Sequence, residues 1–432
     1  MKKIYYNYVA LNIFSYAAIG MLFPLIGQYL DSLGFDGTQI GISTALATGV
    51  AIFATTFWGE RYNNSPRKKR VVVFLCLVSA LWAMGLLSLN SYGFFLIGFM
   101  ILFFFYSPIM GLNDAMTIES GQSFNSIRKW GSIGFALATF ISGRCAEAFG
   151  LWVIFPGFSL SFILSALVIW IMIRRDNRWK SPMKVKPRSV RKIKAEDDPD
   201  IEWDGDEFSQ VMPDLGTPHI KEERTKYIHL IKNKKYLAII VSAFFVMGTN
   251  VANNTYFSFL YIEGGGNIGG VGTAFLLMAG SEAIFMALSK RISQKISLER
   301  TILIAMIISV LRYGWYSTGP SSALLLGTFF LQGIVNGIIL VEFIRYIHKT
   351  VEPKELGMGI SLYYAVSTNF STIFCQFIGG LALDLGGGST VYLFFSLYNI
   401  IGVVIYLLFG LHRCSDKRGK ISKPQEKIIL DE

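Results

Sequence analysis

The chain has 432 residues, 52% of them hydrophobic and only 16% charged, and carries a formal net charge of +11. That balance is too apolar for an ordinary water-soluble domain and makes a bilayer the natural solvent. The positive charge is gathered in a few clusters, which argues against a nucleic-acid partner.

A helix rises about 1.5 Å per residue, so about 20 apolar residues are needed to cross about 30 Å of hydrocarbon. Runs of that length between charge clusters predict six spans at 5–30, 38–59, 71–90, 93–118, 128–150 and 152–173. Six more follow at 236–262, 268–289, 300–318, 322–346, 357–383 and 389–411. Lys2 and Lys3 resemble the start of a signal peptide, but the apolar run behind them is too long and lacks a small-residue cleavage pattern, so it reads as the first span. The predicted fold class is therefore all-α: a polytopic membrane protein of about twelve helices in two six-helix, pseudo-symmetric bundles.

The basic residues fall in segments that an even span count places on one face: Arg61 and Arg67 to Arg70, Arg174 to Lys194, Lys290 to Arg300, His348 to Lys354, and His412 to Lys423. By the positive-inside rule that face is cytoplasmic, with both termini inside a multi-pass cell membrane protein. The expected domains are a first bundle over 1–173, a cytoplasmic linker over 174–235, a second bundle over 236–411 and a tail over 412–432. The run Glu196 to Asp200, continued by Asp204, Asp206 and Glu207, has too little apolar content to fold alone. A faint repeat links the bundles: Gly41 and Gly49 of the second span match Gly272 and Gly280 of the eighth, at a shared offset of 231. This fits a fold with its binding site near midplane between two repeats.

Cys76, Cys145, Cys375 and Cys414 are scattered, and His219, His229, His348 and His412 all lie outside the predicted spans. No metal site and no cofactor is expected, and no nucleophile pair of an enzyme is visible.

An ionisable residue within hydrocarbon costs at least about 2.5 kcal/mol and is a functional candidate by default. Asp114, Arg128, Glu282 and Arg312 qualify, with Glu342 and Arg345 nearer the cytoplasmic ends. Asp114 and Arg128 each lie seven residues from Gly121, the centre of the turn between the fourth and fifth spans. Both thus stand about 10 Å from the hairpin apex and can meet each other or a shared ligand. Glu282 and Arg312 flank another loop with opposite signs. Each bundle therefore offers an acid and a base, which either form plain ion pairs or bind a polyhydroxy ligand through acceptors and a rigid donor fork. Asn250, Asn253 and Asn254 share one face of the seventh span; Gln332, Asn369 and Gln376 add amides from the tenth and eleventh. Such amides line a cavity or tie helices together.

The segment Arg128-Lys129-Trp130-Gly131-Ser132-Ile133-Gly134-Phe135 resembles the fifth-helix motif of the lactose permease group, the oligosaccharide and nucleoside proton symporters of the major facilitator superfamily. Pro24 and Tyr261-Ile262-Glu263-Gly264-Gly265-Gly266 also look familial, and the likeness covers nearly all spans. The resemblance implies that Arg128 grips sugar hydroxyls, Phe135 stacks on the sugar ring, and Asp114 is the fourth-helix sugar-binding acid. It also implies that Glu282 and Arg312 link recognition to proton transfer, and that Asn253 and Asn254 belong to a seventh-helix polar cluster. Two departures stand out. Gln332 replaces the family's histidine, and its tenth-helix coupling glutamate falls at Val335. Asn250 with Thr368, and Asn253 with Phe329, replace two charged interhelical pairs by neutral ones, so neither substitution strands a charge.

The sequence thus leads to a carrier of a small polar solute, a saccharide or glycoside, that works by alternating access with proton symport. Its substrate site would comprise Asp114, Arg128, Phe135, Asn250, Asn253, Asn254, Glu282, Gln332 and Asn369, with Glu282, Arg312 and Glu342 in proton coupling. Expected partners are the substrate, protons and the lipid bilayer, with the chain acting as a monomer. Competing readings are a nucleoside or aromatic-acid symporter, a facilitator or exchanger without proton coupling, drug efflux, and a non-transporting membrane sensor.

Overall fold

The computed structural model describes residues 2–122, 124–178, 230, 232–352 and 355–413. Most of the linker and tail, Cys414, His219 and His229 lie outside the described residues.

The first half contains α1 (Lys2–Ser32), α2 (Gly37–Asn63), α3 (Lys68–Leu86), α4 (Tyr92–Tyr106), α5 (Pro108–Glu119), α6 (Phe124–Phe149) and α7 (Ile154–Arg178). The second contains α8 (Lys234–Glu263), α9 (Ile268–Ile296), α10 (Leu298–Tyr316), α11 (Ser322–Thr328), α12 (Phe330–Thr350), α13 (Leu356–Leu362), a π-helical stretch Tyr363–Phe370, and α14 (Ser371–Leu408). Nine helices among the described residues are long and apolar enough to cross a membrane. Helices α6 and α10 have the length but carry embedded charges, and the run Leu356–Leu408 is two crossings joined at a break. The break falls at Gly386 and Gly387, inside the gap predicted between the last two spans. Twelve crossings result, in agreement with the sequence.

Local chemistry sets the element ends. Asp36 caps α2 in a box closed by Gln39. Pro108 lacks an amide hydrogen and restarts the fourth crossing as α5 after Ser107. Gly121 takes φ +68° in the turn that reverses the chain into α6, a conformation that costs other L-residues energy. Leu81, Phe94, Leu385 and Leu408 are 68–84% exposed, as side chains facing lipid are.

At the end remote from the basic loops the halves meet closely. A Cβ on Gly380 of α14 would lie 2.3 Å from the Gly37 carbonyl of α2 and 2.9 Å from the Gly41 Cα. On the pseudo-symmetric side, a Cβ on Gly272 of α9 would lie 2.4 Å from the Thr139 carbonyl of α6. Gly41 and Gly272 thus play matching roles, each letting its helix touch the opposite half; a Cβ on Gly49 would meet only Ile373 Cδ1, at 3.9 Å, and Gly280 has open space around it.

Hydrogen bonds between the halves gather at this end. Gln28 donates to Ser258 at 3.4 Å, Thr44 to Gln376 at 3.1 Å, and Asn267 to Glu147 at 2.6 Å. The Asp384 carboxylate accepts from the Gly37 and Thr38 amides at 2.6 and 2.8 Å and from the Thr38 hydroxyl. One hydrophobic cluster runs through both halves, whereas a second, around Tyr236, Phe343, Ile347 and Tyr406, belongs to the second half alone. The halves are therefore sealed at the end remote from the basic loops.

Two predictions follow from this seal. Gly380→Leu forces a side chain into backbone, at a cost of about 1–3 kcal/mol. It should lower the thermal midpoint and cut uptake, and an unchanged midpoint would mean that the halves do not need this contact. Asp384, beyond the apolar run of the eleventh crossing, is pulled two ways. Desolvation raises its pKa, but the hydrogen bonds from Thr38 and Gly37 prevail and lower it. With the folded pKa depressed, its stabilisation is complete above the ordinary carboxylate range and is lost as pH falls through it. Thermal midpoints across pH should show that acid loss, and Asp384→Asn should remove it.

Candidate functional site

Midway along the first half, the fourth and fifth crossings bring Asp114 of α5 and Arg128 of α6 together as an ion pair, bonded through Arg128 Nη1 and Asp114 Oδ2. The turn at Gly121 sets this register, since equal spacing on two antiparallel helices puts the residues level. Asp114 is 6% exposed and its Oδ1 has no partner, whereas the Arg128 side chain is 42% exposed. The guanidinium also lies over the Tyr16 ring, 4.7 Å from its centroid. One side of the fork is thus fixed by a carboxylate and an aromatic face, and the rest stays open.

Arg128 lies within charge reach of Glu282 on α9 and of Tyr364 in the π-helical stretch, both in the other half. Glu282 is held in place by a tight helix crossing: a Cβ on Gly333 of α12 would stand 2.6 Å from its backbone nitrogen, and one on Gly337 2.7 Å from its carbonyl. Asn336, between those glycines, sits beside the Glu282 side chain. Glu282 makes no ion pair among the described residues, so the two halves offer a held arginine and an unpaired carboxylate to the same space.

The amides divide. Asn250 accepts from Gln332 at 3.2 Å and from the Tyr313 hydroxyl at 3.4 Å, and Gln332 also donates to Asn336 at 3.2 Å. Asn250 and Gln332, both buried, thus form one network that ends next to Glu282. Asn253 accepts from Tyr392 at 2.7 Å, deep inside the second half. Asn254 is partly exposed with Oδ1 unpartnered, and Asn369 is partly exposed in the π-helical stretch. Phe135, two turns from Arg128 along α6, is half-buried at the edge of the shared core.

The remaining expectations separate from this group. Arg312 does not pair with Glu282; it is 3% exposed and stands over the rings of Tyr313 and Tyr316 at 4.3 and 5.5 Å. The idea of one acid-base pair per half therefore holds only for the first. Glu342 is bound to Arg345 at 2.7 Å, ten residues beyond Gln332 and so about 15 Å further toward the basic end. The neutral replacements have found new neighbours, since Phe329 stacks on Phe257 with centroids 3.7 Å apart. Cys76 and Cys375 are buried, free thiols, and among the described residues no cluster of His, Cys, Asp or Glu fits a metal ion.

Three contributors escaped the sequence reading: Tyr16, Tyr364 and Asn336. Asn336 follows Gln332 by four residues, one helical turn on the same face, and that spacing was available as a signal. The tyrosines were hidden among the 20 in the chain.

The sequence profile of the MFS_1 like family matches residues 5–394. The chain belongs to that family. It is a membrane transporter of the major facilitator type and not an enzyme. It is 27% identical over 398 residues to a maltose permease of Geobacillus stearothermophilus, covering 91% of each chain. It is 25% identical over 413 residues to the uncharacterized transporter YwbF of Bacillus subtilis (strain 168), covering 93% of this chain and 94% of that one. Among solved structures, the nucleoside transporter NupG superposes with a TM-score of 0.72 at 16% identity, over 94% of this chain and 98% of the other. That last likeness concerns the fold alone.

Proposed function

We propose that this transporter carries a saccharide or glycoside through the cell membrane by alternating access, with Arg128, Asp114 and Tyr16 binding it from one half and Glu282, Asn336 and Asn254 from the other. The observation that carries the reading is the half-exposed Arg128 fork, fixed on one side by Asp114 and facing an unpaired carboxylate across the two halves. Hydroxyl groups supply both donors and acceptors, and this arrangement supplies both in return. The similarity to a maltose permease supports the same substrate class.

By the positive-inside rule the basic end is assigned to the cytoplasm, which places the seal at Gly37, Gly41 and Gly380 on the outer side in this reading. Glu282 is the proposed proton carrier, because Asp114 and Glu342 are each already held by an arginine. Phe135, Asn250, Asn253, Gln332 and Asn369 complete or support the site. Arg312 is placed to act on it only through the Tyr313 to Asn250 to Gln332 chain. The linker over 174–235 joins the two bundles on the cytoplasmic side, and one chain forms the whole unit.

The test is uptake of labelled mono- and disaccharides, with nucleosides and aromatic acids alongside, into proteoliposomes with and without an inward proton gradient. Accumulation of a sugar only with the gradient supports the reading. Sugar counterflow indifferent to pH removes proton coupling, and silence toward every sugar overturns the substrate class.

A further inference from the structure

Arg312 presents an electrostatic problem that the transport mechanism does not solve. It stands in the middle of α10 and is 3% exposed, with the Tyr313 hydroxyl among its polar neighbours but no hydrogen bond of normal geometry at Nε, Nη1 or Nη2. A guanidinium carries five N–H donors and keeps its charge under any physiological condition. Buried without a counter-charge, such a group costs several kcal/mol. The tyrosine rings at 4.3 and 5.5 Å offset part of this through their faces but leave the N–H edges unsatisfied.

No carboxylate within the described residues supplies the missing charge. Asp114 is bonded to Arg128, Glu342 to Arg345 and Glu299 to Lys349, while Glu282 has Asn336 and Arg128 as its polar neighbours. The surrounding network is also short of acceptors. The Tyr313 hydroxyl is directed at the Thr249 carbonyl and Asn250 Oδ1, at 3.3 and 3.4 Å. Asn253 Oδ1 accepts from Tyr392 while the Asn253 Nδ2 donor is unpartnered, and the Tyr316 hydroxyl, near Thr328, makes no hydrogen bond of normal geometry. Against these donors stand two unpartnered amide oxygens, Gln332 Oε1 and Asn254 Oδ1. A cluster rich in unspent donors around a permanent positive charge is the chemistry of an anion site.

We propose that Arg312, with the Tyr316 hydroxyl beside it, holds a monovalent anion of halide size, chloride in solution, as a structural counter-ion inside the second half. The burial of the guanidinium leaves no access for an organic anion, so the site is separate from that of the substrate and does not depend on what the substrate is.

The measurement is thermal unfolding of the purified, substrate-free full-length protein in sodium chloride against sodium methanesulfonate at equal ionic strength. The expected result is a midpoint that rises by a few degrees with chloride and saturates, as a ligand bound only to the folded state requires. Arg312→Gln should abolish the difference. Tyr316→Phe, which keeps the charge, should raise the half-saturating chloride concentration several-fold and keeps the test decisive if the first variant does not fold. Coincident wild-type curves, meaning water alone fills the site, would overturn the proposal. So would equal stabilisation by both salts, or a chloride shift that survives Arg312→Gln or is unmoved by Tyr316→Phe.

Discussion

Arg128→Lys should cut uptake about 10- to 100-fold while leaving insertion and thermal stability near those of the parent. Lysine keeps the charge and can still pair with Asp114, so no buried carboxylate is left alone. It loses the planar fork, which spans Asp114 on one side and the open space toward Glu282 on the other. A hydrogen bond to a charged group is worth about 1.5–3 kcal/mol, and one tenfold change corresponds to about 1.4 kcal/mol, which sets the expected range. The change should appear as a raised half-saturating substrate concentration together with a lower maximal rate if, as proposed, Arg128 binds the ligand in both conformations. Unimpaired uptake would reduce the Asp114 to Arg128 pair to a scaffold between α5 and α6.

Glu282→Gln should abolish gradient-driven accumulation while sparing exchange. The amide matches the carboxylate in size, so the close crossing with α12 at Gly333 and Gly337 is preserved. Asn336 keeps a partner, and Arg128 loses only a charge at a distance. Counterflow, which needs no net proton movement, should persist within about tenfold, whereas the response of uptake to external pH should flatten. A variant that still accumulates substrate under a proton gradient would remove Glu282 as carrier and leave Asp114 and Glu342, tied to Arg128 and Arg345, as the remaining embedded acids.

Much of this architecture was open to a reader of the sequence because in a bilayer the backbone has little choice. Peptide groups must satisfy one another within a helix, so a long apolar run dictates a crossing, and the ends follow from charge clusters and residues such as Asp36, Pro108 and the Gly386-Gly387 break. The Asp114 to Arg128 pair was also accessible, because a short turn fixes the register of the two helices it joins. Glu282 and Arg312 had the same outward signature, opposite charges flanking a loop, and the same reasoning would pair them. Helix rotation prevents it: Glu282 faces the space between the halves, while Arg312 faces the tyrosines of its own. Nothing in a charge pattern reports that rotation, since it is set by which faces pack, here by glycines of α12 against α9.

The sequence by itself thus determined the class of the protein, the number and course of its crossings, and the short-range pair at the heart of the proposed site. Only the tertiary structure decided which end of the two halves is sealed, that Arg128 and Glu282 approach from opposite halves, and that Arg312 stands alone. The physical reason is range: burial in lipid and the geometry of a turn act over a few residues of neighbouring chain. The pairing of helices far apart in the chain depends on side-chain packing in three dimensions, where a missing Cβ at Gly380 or Gly333 lets two helices approach closely.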